Sequence, residues 1–255
     1  MTRLGRIVNS SSANSQLNSG IKILFKKVRP ILIITYMNIP VIYENKDIIV
    51  VNKPAGILVH PTSKKEKGTL IEIIRKKYPK AELSHRLDKD TSGLLIISKS
   101  QKAHSWLKCQ FKNRKIKKEY IALVHGKLKE KKGIITKSIG KTRKRGGRQT
   151  IATIKKTREA ITRYEVIEEL NNYTLIKAKP ETGRTHQIRV HLASIGHPLA
   201  GDQKYKFKRQ NQPKNLNRHF LHANYLKFSL PDGKIIELKS ELPTKLKTLI
   251  QELKT

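Results

Sequence analysis

Acidic residues are scarce in this chain: 19 Asp and Glu stand against 55 Lys and Arg, leaving a net charge of +36 over 255 residues. That excess is too large for ordinary surface decoration and predicts a polyanionic partner, most simply RNA or DNA, held with strong salt dependence. Charge alone does not separate an enzyme acting on RNA from a ribosomal or packaging protein. Cysteine is almost absent. Cys109 stands alone, which excludes an intrachain disulfide and a cysteine-based zinc site. It suits a reducing compartment, so the expected location is the cytoplasm. No apolar run approaches the roughly 18 residues of a membrane span. What is present is a hydrophobic fraction of 37%, low but sufficient for the core of one large domain or two small ones.

Two stretches contain no acid at all. Residues 1–36 carry Arg3, Arg6, Lys22, Lys26, Lys27 and Arg29, and the first acid of the chain is Glu44. Three readings are open: a transit peptide, which would make the location mitochondrial; a disordered basic arm for RNA; or a translation start at Met37, the reading preferred here. The domain proper is then expected over residues 37–255. The second stretch, Lys131–Arg158, includes Lys141, Arg143, Lys144, Arg145 and Arg148 around a Gly-Gly pair. It reads as a flexible loop laid along phosphates.

Local patterning places the elements between. Val41–Glu44 and Asp47–Asn52 read as strands around an Asn45-Lys46 turn, the second stopped by Pro54. Lys53 beside it reads as a solvated lysine, with an RNA contact as the alternative. Leu70, Ile73 and Ile74 predict a helix over Thr69–Tyr78. Ala103, Trp106, Leu107 and Phe111 are the expected core residues of a second helix, Gln101–Phe111. Lys117–Val124, Ala160–Ile167 and Tyr173–Lys179 read as strands. Asp232-Gly233 marks a hairpin between Leu226–Leu230 and Lys234–Leu238. Residues 203–218 read as an exposed loop, and Pro243–Leu253 as a terminal helix.

The chemistry concentrates in Ser84–Ser100. His85-Arg86-Leu87-Asp88 runs into a Thr91-Ser92-Gly93 turn and then the apolar run Leu94–Ile97, which reads as a buried strand. Asp88 therefore sits at the mouth of the core among cations, where a carboxylate stays ionised and can act as nucleophile or base. The plainer reading, a turn-capping aspartate, is equally compatible with the spacing. His186, His191 and His197 are not spaced as ligands on one helical face, and no HExxH occurs, so no metal site is expected.

The letters carry more than the spacing. HRLDKDTSG at His85–Gly93 resembles the HRLDxxTSG signature of the RluA-type pseudouridine synthases. IIVVNKPAGILVHP, KKEYIALVHG and TGRTHQIRVH resemble that family's other motifs, in the family's order, over about residues 40–250. The resemblance implies an α+β catalytic domain on a mixed, largely antiparallel sheet with surrounding helices, and isomerisation of uridine in rRNA or tRNA to pseudouridine without a cofactor. It implies Asp88 as nucleophile and Tyr120 lying against the uracil ring. Arg184 lies four residues before Ile188, on the stripe that continues through Leu192 and Ile195. A guanidinium aimed inward needs an anion, and the expected partner is Asp88, a pairing that the resemblance also implies. Arg189 is expected to point elsewhere, to RNA or a neighbouring loop. Arg86 is expected either to fill the stack vacated by the target base or to make a structural ion pair. Many relatives begin with a small S4 RNA-binding domain, and no such segment is seen here. The expected protein is a monomer acting on RNA. The rival kept beside this reading is a non-catalytic RNA-binding or ribosome-associated protein; an aspartyl-phosphate phosphatase fails on the spacing of Asp88, Asp90 and Thr91.

Overall fold

A computed structural model describes residues 39–62, 66–142, 148–151, 157–208 and 210–254. Strands β1 (Val41–Glu44) and β2 (Ile48–Lys53) form a hairpin, followed by helix α1 (Leu70–Arg75) and the short β3 (Glu82–Leu83). Strand β4 (Ser92–Ser98), helix α2 (Gln101–Lys112) and β5 (Lys117–His125) come next. Then come β6 (Lys132–Ile135), β7 (Ile139–Lys141), β8 (Gln149–Thr150), β9 (Thr157–Arg158), β10 (Thr162–Leu170) and β11 (Tyr173–Pro180). Helix α3 (Gln187–Ser194), β12 (Leu221–Ser229), β13 (Ile235–Lys239) and α4 (Thr244–Glu252) complete the order.

Ten strands make one sheet in the order β1-β2-β4-β12-β5-β11-β10-β6, with β13 added on β12 and β3 on β4. Every pairing in it is antiparallel except β4 with β12. The expected mixed, largely antiparallel α+β architecture is the one observed.

The period of two in each strand sorts residues onto two faces. Ile49, Val51, Leu95, Ile97, Tyr120, Ala122, Val124, Ile176 and Ala178 share one cluster with Leu70, Ile73 and Ile74 of α1 and Ile188 and Leu192 of α3. Their sequence neighbours Ile48, Val50, Leu94 and Ile96 pack against Ala103 and Leu107 of α2. Leu123, Tyr173 and Leu175 meet Leu246, Leu249 and Ile250 of α4. The four-residue apolar run of β4 is thus explained by burial on both faces. The catalytic candidates Asp88 and Tyr120 belong to the α1/α3 side.

Gly93 permits the parallel pairing. Its φ is 116°, and a Cβ there would lie 2.2 Å from the Ala223 carbonyl oxygen. Only a residue without a side chain lets β12 approach β4 so closely.

Three expectations change. Trp106 is 37% exposed, lying along the surface with Nε1 donating to the Ser229 carbonyl at 3.2 Å, while Ala103 and Leu107 fill the core. The acid-free stretch 131–158 is not simply a loop: its described parts form β6 and a separate three-stranded sheet in the order β8-β7-β9. Ile139 anchors that sheet against Ala160, Val190 and Tyr205, a packing role that a charge count does not register. Tyr205, within the segment expected to be an exposed loop, is itself buried.

Candidate active site

The segment before β4 alternates. His85 turns inward, where its Nε2 accepts from the Ile96 amide at 3.0 Å and its ring lies 4.7 Å from that of Phe111. Burial pulls His85 down to about 3, so the ring is neutral and free to accept. Leu87 is buried in the core. Arg86 and Asp88, the alternate residues, line the cleft. A turn closed by the Thr91 amide on the Asp88 carbonyl at 3.1 Å then starts β4.

Lys53 braces this turn from beneath. Far from solvated, it is fully buried, and its Nζ donates to the carbonyls of Pro54, Ile57 and Lys89 at 2.8, 2.9 and 2.9 Å. Burial pulls the amine down to about 7. Three converging carbonyls nevertheless suit the three donors of an ammonium, whereas a neutral amine would face an oxygen with its lone pair. A lysine next to a proline at a strand end carries no one-dimensional mark of this role, so the sequence reading missed it.

Asp88 pairs with Arg189, not with Arg184. Arg189 Nη1 donates to Asp88 Oδ2 at 3.0 Å, while its Nε and Nη2 donate to Asp202 Oδ2 and Oδ1 at 2.7 and 2.9 Å. Arg189 is therefore a buried clamp between two carboxylates, reaching Asp88 and, of its two expected directions, the neighbouring loop at Asp202 rather than RNA. Arg184 lies outside the helix. Helix α3 begins only at Gln187, because His186 before it adopts a left-handed conformation with φ 56°. Helical spacing cannot be extended back through such a residue, and Arg184 instead directs Nε to the Glu159 carbonyl at 3.0 Å.

The turn is held by Gln187, whose amide is fully used. Its Oε1 accepts from Thr182 Oγ1 at 2.7 Å and the Arg184 amide at 2.9 Å. Its Nε2 donates to the Ile161 carbonyl at 2.9 Å and Thr162 Oγ1 at 3.0 Å. These bonds offset the strain at His186. His186 Nδ1 meets the Tyr205 hydroxyl at 2.8 Å, and Nε2 lies 4.0 Å from Asp88 Oδ1. Asp202 and Gln187, like Lys53, are site residues that sequence reasoning passed over.

Burial by itself would raise the Asp88 carboxyl, but the charges of His186 and Arg189 outweigh it and hold the group below its ordinary value. His186 is itself pulled down to about 4 by burial, so at neutral pH Arg189 is the cation that remains. Oδ2 is thus occupied, while Oδ1 has no hydrogen-bond donor among the described residues. Burial and the Asp88 charge together raise Tyr120, which stays a protonated phenol. Asp88, Tyr120, Arg86, Lys118 and Phe111 line one cleft of about 870 Å³, a size that admits a nucleotide.

Of the other residues expected at RNA, Arg86 is exposed at the cleft with no carboxylate partner among the described residues, and Lys141 is exposed on the small sheet. Arg148 lies over the Tyr205 ring at 4.6 Å. Arg143, Lys144 and Arg145 lie outside the described residues. Two of the three candidate histidines donate to backbone carbonyls: His191 Nε2 to that of Lys137 and His197 Nδ1 to that of His125, both at 2.8 Å. Among the described residues no group of three His, Cys, Asp or Glu could hold a metal ion, and no helix is long and apolar enough to cross a membrane.

Residues 47–194, which span the cleft from β2 to α3, match the RNA pseudouridylate synthase family. The chain belongs to that family. It is an RNA pseudouridine synthase of the RluA type, an isomerase. The synthase is 37% identical over 228 residues to an RNA pseudouridine synthase of Bacillus subtilis, covering 86% of this chain and 74% of that one. It is 39% identical to ribosomal large subunit pseudouridine synthase D of Nitrosomonas europaea, covering 84% of this chain and 65% of that one. It is 38% identical to ribosomal large subunit pseudouridine synthase C of Haemophilus influenzae, over 84% and 68% of the two chains. Among solved structures, human RNA pseudouridylate synthase domain containing 1 superposes on the synthase with a TM-score of 0.69 at 28% identity, covering 85% of this chain and 94% of that one.

Proposed function

We propose that this synthase converts a uridine of large-subunit ribosomal RNA to pseudouridine, with Asp88 as the nucleophile, and that it acts in the cytoplasm. The observation that carries the catalytic assignment is the division of the Asp88 carboxylate. Arg189 holds Oδ2 at 3.0 Å, and Oδ1 is left to the cleft. An ionised carboxylate that is oriented by one oxygen and open at the other is suited to attack. In the reaction the bond between N1 and C1′ breaks, the uracil turns, and C5 bonds to C1′. The proton lost from C5 is balanced by one gained at N1, so substrate and product have the same atoms and the same oxidation state. Tyr120 supplies a flat face for the turning ring and, as a protonated phenol, a hydrogen-bond donor rather than a resting base. The target base has to leave its stack, at a cost of a few kcal/mol. The exposure of the Arg86 guanidinium at the cleft supports its filling the gap that the base leaves.

The substrate class rests on the relatives named as ribosomal large subunit synthases and on the net charge of +36. Pseudouridine mapping of ribosomal and transfer RNA from cells expressing wild type or Asp88→Ala tests it. A ribosomal uridine modified only by wild type is the expected result. Modification confined to transfer RNA would overturn the substrate class. No modification, with both proteins folded and RNA-bound, would favour the non-catalytic RNA-binding reading.

A further inference from the structure

A second, smaller hollow of about 320 Å³ adjoins the cleft, and the two share Gly183, Arg184 and Thr185. Arg184 therefore stands on the ridge between them. The far wall comes from the three-stranded sheet: Ile139, Gly140 and Lys141 of β7, Gln149 of β8 and Arg158 of β9. Strand register explains the grouping. Ile139 lies opposite Arg158, Lys141 lies opposite Gln149, and Ile139 and Lys141 are two apart on one strand. Directly paired and alternate residues share a face, so this sheet presents Lys141 and Arg158 together.

Among the described residues, three cations and no acid line the hollow. The neighbouring carboxylates are engaged elsewhere: Glu159 with Arg114 at 3.1 Å, and Glu181 with Arg163 at 2.5 Å. Among the described residues neither Lys141 nor Arg158 has a carboxylate partner. Arg184 uses Nε on the Glu159 carbonyl, which aligns the guanidinium and leaves its two terminal amines unpartnered among the described residues. Like charges brought together repel unless an anion joins them, and paired guanidinium donors match phosphate oxygens.

On the reading that the adjoining cleft receives a uridine of RNA, we propose that this hollow is a phosphate subsite. Lys141, Arg158 and Arg184 grip the RNA backbone beside the target nucleotide, and Arg184 carries the strand over the ridge. This gives Arg184 a binding role in place of the Asp88 partnership that its sequence position suggests.

The test uses the full chain and a short uridine-containing RNA hairpin, with affinity measured against salt concentration. Each phosphate contact contributes about 0.7 to 0.9 to the slope of log affinity on log salt. The triple variant Lys141→Gln, Arg158→Gln, Arg184→Gln is expected to lower that slope by about two and to raise KM for RNA more than it lowers kcat. Arg184→Lys, which keeps the charge, is expected to keep the wild-type slope. Lys234→Gln, on the distant β12–β13 hairpin, is expected to leave both slope and activity unchanged. A triple variant that is folded by its melting temperature and keeps the wild-type slope would overturn the subsite. So would a fall in kcat with slope and KM unaltered. A wild-type chain that binds the hairpin with no salt dependence would instead overturn the RNA reading on which the subsite rests.

Discussion

Arg189 and Asp88 meet at 3.0 Å across the cleft floor, and the same guanidinium is fastened from behind to both oxygens of Asp202. Asp202 sets the angle of the fork, and the fork sets the orientation of the Asp88 carboxylate. This three-residue chain joins the turn that follows α3, α3 itself and the turn before β4 at one point. Removing its centre has two separable consequences.

Arg189→Gln leaves the buried Asp202 carboxylate without its cation, which is expected to cost about 3 to 5 kcal/mol, measured as a fall in the urea midpoint. The same change releases the depressed Asp88 carboxyl toward its ordinary value. Activity that needs ionised Asp88 is present above its folded-state pKa and lost as pH falls through it. The acid limb of the pH–rate profile is therefore expected to move to higher pH in any folded fraction of the variant. A limb that stays in place would show that Arg189 does not control Asp88 ionisation.

Lys53→Met preserves apolar volume but leaves the Pro54 and Ile57 carbonyls without the ammonium that joins them to Lys89. The expected loss is on the order of 3 kcal/mol, from hydrogen bonds to a charged group. Because Lys89 follows Asp88 directly, kcat should fall with little change in RNA affinity. Thermal unfolding and steady-state kinetics on the same preparation check both parts.

Gly93→Ala would drive a methyl group into the Ala223 carbonyl at 2.2 Å, between two strand backbones that cannot yield separately. The expected outcome is a loss of several kcal/mol, enough to prevent accumulation of folded protein. Gly233→Ala is the matched control. Its φ is 83° but a Cβ there meets open space, so only the strain of about 1 kcal/mol is expected. Equal destabilisation of the two variants would refute the close-approach argument.

His219 and His222 are buried, and burial pulls them down to about 3 and about 4. Each ring also meets a hydroxyl: Thr91 Oγ1 for His219 at 2.8 Å and Ser92 Oγ for His222 at 2.9 Å. The unfolded chain protonates both near pH 6.5, while the folded chain does not until pH falls to about 4 or below. In that window the unfolded state binds more protons, so stability rises with pH and drops as pH falls from 6.5 toward 4. Each such group contributes about 1.4 kcal/mol per pH unit to the slope, and His85 and His186, pulled down by burial to about 3 and about 4, add to the two. Urea titrations at pH 7.5, 5.5 and 4.5 measure it. A stability independent of pH over that range would show that the two rings are not held neutral.

Much of the fold is legible in one dimension because its signals are local. The unbroken apolar runs of β2 and β4, the Leu70–Ile74 stripe of α1 and the Asp232-Gly233 turn are each signalled by composition, period or turn chemistry within a few residues. Trp106 fails that test because an amphipathic ring satisfies the apolar pattern while its Nε1 seeks a carbonyl at the surface. The small sheet fails because Ile139, which anchors it, is hidden among cations.

By itself the sequence determined a basic, disulfide-free chain with an ionisable aspartate at the mouth of a buried strand, together with the motifs of its family. Which guanidinium meets that aspartate was decided only in three dimensions. Arg184 and Arg189 are five residues apart, and either can be placed inward by extending a helical pattern. The left-handed backbone of His186, held by the four hydrogen bonds of Gln187, breaks that pattern between them. It turns Arg189 into the core toward Asp88 and Asp202 and leaves Arg184 on the ridge. A backbone angle sustained by partners up to 26 residues away in sequence has no signature in local periodicity, and so only the folded chain assigns the pair.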